Sequence, residues 1–345
     1  VDIPETSKKD KSDKKRLDIF SIPFRSDLAL WYRCNNRCPH CYLEDKREKK
    51  SLTIKEWRKV IEKLYASGIF HLTITGGEPS IYPELKDIIA CSRKAGHLTG
   101  LISNGRMLGR DGVAESLKQA GLHHVQITLL GQCAETHDSL TGIEGSYEET
   151  IRGIRNSIEA GLWTITNTTI TKKNIKTAED ICQFIEYLHS LKLRTFAMNT
   201  IIVSGKGKDF EHTYSFKELK DILAAAKAKA DELKMKFIWY SPTPYCELNP
   251  VELGLGVKRC SAAEGAIAVE PDGTVLPCQS CFIPLGNILE KPLEEILLHP
   301  VAVRIRERLW VEQRCRDCSN FADCGGGCPL ERNAVSRLWD GNEKE

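Results

Sequence analysis

What the chain lacks narrows the choices first. No apolar run approaches the roughly 18 residues of a membrane-spanning helix, so neither a transmembrane helix nor a membrane partner is expected. No charge of one sign dominates: the formal net charge is +2 over 345 residues. Such a balance gives no strong field to gather nucleic acid, and no nucleic-acid partner is expected. The opening "VDIPETSKKDKSDKKR" has no apolar core of a secretory signal, so it is read as a disordered basic arm over residues 1–26. No sequence repeat of fixed period is visible. A cytoplasmic location is the expectation.

Cysteine, by contrast, is abundant, with 14 residues. In a short secreted chain that would suggest disulfides; here the chain is long and the cysteines cluster, which favours metal or cluster ligation. A hydrophobic fraction of 41% allows a large core, as two domains or one large α/β domain with an extension.

The middle of the chain alternates between β-rich and helix-patterned runs. Strands are predicted over Asp27–Arg33, Phe70–Thr75, Leu98–Ser103, His124–Leu130, Leu162–Ile170 and Arg194–Ile202, with a short last strand ending at Tyr240. Helices are predicted between them, the first capped by Thr53 and stopped by Gly68, the last over about Phe216–Leu233. Six βα units in series predict an α/β fold with a parallel sheet, short of a full eight-unit barrel: a partial (β/α)6 barrel over residues 27–241. In such folds chemistry sits at the C-terminal ends of the strands. After Tyr240 the texture becomes rich in proline, glycine and cysteine. "GAIAVEPDGTVLPC" reads as a hairpin, and residues 242–345 as a small metal-stapled domain.

"WYRCNNRCPHCYLED" (Trp31–Asp45) holds Cys34, Cys38 and Cys41 in a C-x3-C-x2-C spacing. Three thiolates from one loop can bind three irons of a cubane cluster and leave the fourth iron open for a substrate or cofactor. The alternatives are a zinc site or three buried cysteines. Zinc wants a fourth Cys or His, and His40, adjacent to Cys41, would strain tetrahedral ligation. "TGGEP" (Thr75–Pro79) follows the second strand. Its glycines Gly76 and Gly77 allow a close backbone approach to a ligand, and Glu78 can accept from an ammonium group.

With these motifs the chain resembles the radical S-adenosylmethionine (SAM) enzymes, which are partial (β/α)6 barrels with the cluster loop after the first strand. The resemblance implies SAM chelating the open iron, reductive cleavage to a 5′-deoxyadenosyl radical, and removal of hydrogen from an unactivated C–H bond. It implies SAM contacts from Gly76, Gly77 and Glu78, from Ser103 and Asn104 of "SNG", and from His40 near the adenine; Thr128 and Asn167 are further candidates. Leu130 stands where related enzymes often have an Asp, which disfavours sulfatase-type formylglycine formation. His137–Asp138 also matches a family pattern, but a loop-stabilising hydrogen-bond pair is the preferred reading.

The pattern Cys260-x12-Gly273-x4-Cys278, followed by Cys315-x2-Cys318-x5-Cys324-x3-Cys328, resembles the SPASM extension, which carries auxiliary [4Fe–4S] clusters. The resemblance implies one cluster on Cys246, Cys260, Cys278 and Cys328, and a second on Cys315, Cys318 and Cys324. No cysteine follows Cys328, so the last ligand is open: Cys281, Asp340, an exogenous group or nothing. Zinc remains the alternative for these C-x2-C pairs. Cys91, Cys133 and Cys182 have no partner in the pattern, and the helical ones are read as small buried hydrophobes.

The leading expectation is therefore a SAM-dependent maturase that oxidises or crosslinks a peptide or protein, with flavodoxin or ferredoxin as reducing partner. Only about 26 residues precede the first strand, too few for a peptide-binding domain, so a separate protein or the barrel mouth itself would present the peptide. The runner-up is small-molecule chemistry, on a tetrapyrrole or a quinone-cofactor precursor. A non-catalytic iron–sulfur electron carrier is the remaining class; "TGGEP" and "SNG" argue against it, since a carrier needs no SAM pocket.

Overall fold

Helix α1 (Ile54–Ala66) shows how local sequence sets an element's limits. The Thr53 side chain accepts from the Glu56 amide, and Glu56 accepts from the Thr53 amide, a reciprocal cap. Trp57, Val60, Ile61 and Leu64 follow at helical spacing and are fully buried. The same logic recurs in α6 (Ala178–Ser190), capped by Thr177 with Asp180 and burying Ile181, Phe184, Ile185 and Leu188.

The computed structural model describes residues 22–43 and 48–339. Most of the arm expected over 1–26, and Asp340, lie outside the described residues. Seven parallel strands run in chain order: β1 (Arg25–Ala29), β2 (His71–Thr75), β3 (Leu98–Ser103), β4 (His124–Thr128), β5 (Trp163–Thr169), β6 (Thr195–Asn199) and β7 (Lys236–Trp239). Between them lie α1, α2 (Leu85–Ala95), α3 (Val113–Ala120), α4 (Ala134–Thr141), α5 (Ser146–Glu159), α6 and α7 (Leu219–Glu232). The predicted strands ran past the observed ones at several ends. Leu129, Leu130, Ile170, Ile201 and Ile202 extend the apolar text beyond the ladder but leave the sheet for the loops above it. Helix α4 is not among the predicted elements.

The hairpin β8 (Ala266–Val269) and β9 (Thr274–Leu276) forms as predicted, but it is not detached from the first sheet. β8 pairs in parallel with β1, Arg25 opposite Ala266 through Leu28 opposite Val269, and β9 carries the short β10 (Gly286–Asn287). One ten-stranded sheet results, open between the edges β10 and β7. The cysteine-rich region is therefore built onto the edge of the strand that leads into the Cys34–Cys41 loop.

Two faces of the sheet differ in chemistry. Leu28, Leu72, Ile74, Leu101, Val125, Ile127, Phe196 and Met198 join the apolar core with the helices. The inner face is polar: Arg25 bonds Asp27 at 3.3 Å, Tyr240 donates to Gln126 at 2.9 Å, and the His71 and His124 rings lie 5.2 Å apart. Burial raises the Asp27 carboxyl against the pull of Arg25, and lowers both His71 and His124 to about 4. Both imidazoles are thus neutral at neutral pH.

Trp57 is fully enclosed, so Trp57→Ala should cost about 3–5 kcal/mol, whereas Thr53→Ala at the cap should cost about 1 kcal/mol. Anaerobic denaturant unfolding measures both; equal small losses would contradict α1 as a core element.

Candidate active site

The loop after β1 has no regular secondary structure, so its shape must come from partners. Cys34, Cys38 and Cys41 are all half-buried in it. Within the loop the Asn36 amide donates to Cys34 Sγ at 3.3 Å and the Cys41 amide to the Cys38 carbonyl at 3.3 Å. Three surrounding elements then hold it. Past the end of β3, Asn104 donates to Asn35 Oδ1 at 2.7 Å, and Arg106 reaches the Asn35 carbonyl at 2.5 Å and Asn36 Oδ1 at 3.0 Å while pairing with Glu149. At the end of α4, the Thr141 carbonyl accepts from the Arg37 amide at 2.8 Å. Beyond β6, the Lys206 amide donates to the Cys41 carbonyl at 2.9 Å.

The "TGGEP" turn is the fourth support, a role beyond the ligand contact expected of it. A Cβ on Gly76 would stand 2.2 Å from the Trp31 carbonyl oxygen, and one on Gly77 2.3 Å from that of Arg33. The close approach these glycines permit is therefore to the entry of the cysteine loop. The Gly77 and Glu78 amides donate to the Trp31 and Arg33 carbonyls at 2.8 and 2.9 Å. Glu78 is 1% exposed, and its carboxylate accepts from the Ser80 amide, the Ser103 hydroxyl and the Asn104 amide at 2.7–2.8 Å. It is thus a buried strut joining "TGGEP" to "SNG". Burial pushes its carboxyl up, and the donors pull it back.

The other candidates fall around the barrel interior. The His40 ring lies 5.5 Å from Phe210, and burial lowers it to about 4. Thr128 ends β4 in register with Asn167 on β5. Asn167 donates to Asn199 Oδ1 at 2.8 Å, while its own Oδ1 is buried with no hydrogen bond from the protein, an acceptor left for a bound molecule. The Leu130 amide donates to His137 Nδ1 at 3.2 Å, and Asp138 accepts from the Gly145 amide, the Ser146 hydroxyl and the Tyr147 amide, each at 2.7 Å. His137 and Asp138 therefore brace α4 and the start of α5, as the preferred reading held.

The later cysteines form two neighbourhoods. Cys260 and Cys328 hydrogen-bond through their thiols; the donation from Cys328 and the nearby Arg308 hold Cys260 below its ordinary value. Cys278 and Cys281 face each other across an antiparallel bridge, and the Cys260 charge acts on both. The other neighbourhood holds Cys315 and Cys324, and Cys246 lies with these two. The implied grouping sets Cys246 with Cys260, Cys278 and Cys328; here its charge acts on Cys315, and Cys281 bridges Cys278. Cys318 is exposed, one turn from Cys315. Among the described residues no three Cys, His, Asp or Glu side chains converge as a single ion would require. The sets suit the cluster alternative, in which each iron takes its own thiolate. Cys91 and Cys182 are half-buried rather than enclosed, and Cys133 is exposed.

Several residues escaped the sequence reading. Arg106 directly follows "SNG", and Tyr42 directly follows Cys41; adjacency was the only signal for either. The Tyr42 ring stacks near Phe282, centroids 6.5 Å apart and planes at 17°. Burial raises the Tyr42 phenol, the charges of Cys41, Asp27 and Cys278 add to that, and Thr75 hydrogen-bonds it. Tyr42 thus stands between the first cysteine loop and the Cys278 hairpin. Glu331, beside Thr200 past the end of β6, is pushed up to about 7 by burial.

With this geometry in view, comparison with known proteins defines the class. Residues 28–188 match the Radical SAM superfamily, and residues 260–319 match SPASM, an iron-sulfur cluster-binding domain. The chain belongs to the radical SAM superfamily and carries a SPASM domain on a partial (β/α)6 barrel. It is an enzyme that uses SAM and iron–sulfur clusters. Among its relatives, PqqA peptide cyclase of Rhodopseudomonas palustris is 26% identical over 332 residues, covering 92% of this chain and 85% of that protein. Fe-coproporphyrin III synthase of Methanosarcina barkeri is 28% identical over 366 residues, covering 95% and 90%. The fold is similar to that of Streptococcus suis SuiB bound to precursor peptide SuiA, with TM-score 0.76 and 17% identity over 90% of this chain and 73% of that one.

Arg106→Ala removes two of the bonds that hold the Asn35–Asn36 segment. We expect a stability loss of about 1.5–3 kcal/mol and about four fewer irons retained per chain after chelator treatment. Arg106→Lys, which keeps charge but not the fork, should recover only part. Unchanged iron retention in Arg106→Ala would show that the loop is held without it. Glu78→Gln keeps the volume but offers one acceptor oxygen where three donors converge, and should cost about 1–3 kcal/mol on thermal unfolding.

Proposed function

We propose that this enzyme removes hydrogen from a peptide substrate and leaves an oxidised side chain or a crosslink. Cys34, Cys38 and Cys41 would hold the SAM-binding cluster. When bound, that cluster and SAM supply the 5′-deoxyadenosyl radical. Ser103 and Asn104 line the cofactor's side of the barrel mouth on the Glu78 strut, and Asn167 offers its open acceptor. His40 closes the adenine side against Phe210.

The observation that carries the oxidative reading is the placement of Tyr42 and Phe282. A substrate held at this aromatic pair lies between Cys41 and the Cys278–Cys281 hairpin. A thiolate-bound cluster on that hairpin can take up an electron from a product radical. The name of the cyclase relative supports a peptide. The synthase relative, similar across 95% of the chain, favours the second reading, a tetrapyrrole-like small molecule. Flavodoxin or ferredoxin in the cytoplasm is the proposed reductant. No helix among the described residues is long and apolar enough to cross a membrane.

After anaerobic reconstitution and strong reduction, the enzyme should form 5′-deoxyadenosine from SAM, and Cys38→Ala should abolish this. Short peptides encoded beside its gene should stimulate cleavage and return with a mass lower by two hydrogens. Stimulation by a porphyrin and by none of the peptides would replace the peptide reading with the small-molecule one.

A further inference from the structure

We propose that Cys246 joins Cys315, Cys318 and Cys324 as the four ligands of one auxiliary cluster, and that Cys281 joins Cys260, Cys278 and Cys328 as the four ligands of the other. This rests on the SPASM region holding iron–sulfur clusters. It removes any need for a ligand beyond Cys328.

Chain geometry places Cys246 with the first set. The amide of its neighbour Tyr245 donates to Cys324 Sγ at 3.4 Å, and Cys324 Sγ in turn approaches the Thr243 carbonyl at 3.8 Å. The segment before Cys246 is pressed on the same turn: a Cβ on Gly327 would stand 3.2 Å from Pro244 Cγ. After Cys246, Glu247 pairs with Arg332 at 3.1 Å. Position 246 is therefore pinned from both sides against the 324–332 segment. Cys315 and Cys318 share one turn through the Cys318 amide and the Cys315 carbonyl at 3.2 Å, and the charges of Cys246 and Cys324 both act on Cys315.

The second set is local to the hairpin. The Cys281 amide donates to the Cys278 carbonyl at 3.3 Å, so the two side chains leave one tight turn. Cys281 is 3% exposed and Cys260 6%, whereas Cys246 and Cys318 are exposed. The two extremes of burial fall in different sets, and the other four cysteines, Cys278, Cys328, Cys315 and Cys324, are half-buried.

The test uses the full chain, reconstituted anaerobically, and reads iron per chain together with the electron paramagnetic resonance spectrum after reduction. The parent should hold about twelve irons, and Cys315→Ala/Cys318→Ala/Cys324→Ala about eight. In that triple background, adding Cys281→Ala should reduce iron further or change the remaining auxiliary signal, and adding Cys246→Ala should change neither. The reverse pattern, or the same response to both, overturns the assignment. If the triple variant loses more than one cluster, Cys260→Ala/Cys278→Ala/Cys328→Ala carries the test. There Cys246→Ala must disturb the remaining auxiliary signal and Cys281→Ala must not; any other response overturns the assignment. A parent with about four irons and bound zinc would instead sink the auxiliary-cluster reading itself.

Discussion

The site depends on one close backbone contact. Where β1 ends, the chain must leave the sheet, carry three cysteines through an irregular loop, and keep them in place. It does so by running against Gly76 and Gly77, so near that no side chain could stand at either position. The contact is worth little unless the turn that bears the glycines is itself fixed. Glu78 fixes it, buried and bound to three donors on two turns. A buried carboxylate is costly unless its acceptor sites are filled. Here filling them joins the ends of β2 and β3, and the loop from β1 is supported on that joint.

This arrangement separates what local sequence declares from what it does not. Strand β3 and the Thr53 cap of helix α1 fall where predicted, because an apolar run and a helix cap are local facts. "TGGEP" was legible as a motif, yet the partner of its glycines was not. A close approach names no partner until the fold supplies one. Helix α4 has a weak apolar face in its text, "AETHDSLT"; its own His137 and Asp138 hold it by accepting from the Leu130 amide and from Ser146 of α5. Cys246 was assigned by analogy of order along the chain. The hydrogen bond on which its proposed regrouping rests spans 79 residues, from its neighbour Tyr245 to Cys324, and nothing in the spacing encodes that.

The barrel interior shows a second conflict between stability and use. Closed barrels fill their centre with branched apolar side chains. This one places Asp27, His71, His124, Gln126, Asn167 and Asn199 on its inner face. Toward the N-terminal ends of the strands the polar groups are only partly paired: Arg25 bonds Asp27 and Tyr240 bonds Gln126, while Asp27 Oδ1 and His71 Nε2 have no hydrogen bond from the protein. Toward the C-terminal ends an acceptor is left over, on Asn167. A partly satisfied network is unfavourable in an empty protein and useful in one that binds a polar molecule there.

The hairpin on β1 then decides what the bound molecule can reach. Had the cysteine-rich region been tethered by a linker, its distance from the barrel would vary. Instead β8 is hydrogen-bonded to β1 over four residues, so Cys278 is carried by the same sheet that ends in the Cys34–Cys41 loop. Lys49 reinforces this from the far side of the loop, pairing with Glu270 at 2.7 Å and Asp272 at 3.0 Å at the hairpin turn, and Tyr32 donates to Glu270 at 2.9 Å. In the proposed reading, two cysteine sets on one sheet edge, with Tyr42 and Phe282 between them, set the span across which a substrate is first attacked and then oxidised. A substrate lying elsewhere in the mouth would meet the first set without the second. The sheet register therefore limits the outcome of the reaction as well as the shape of the protein.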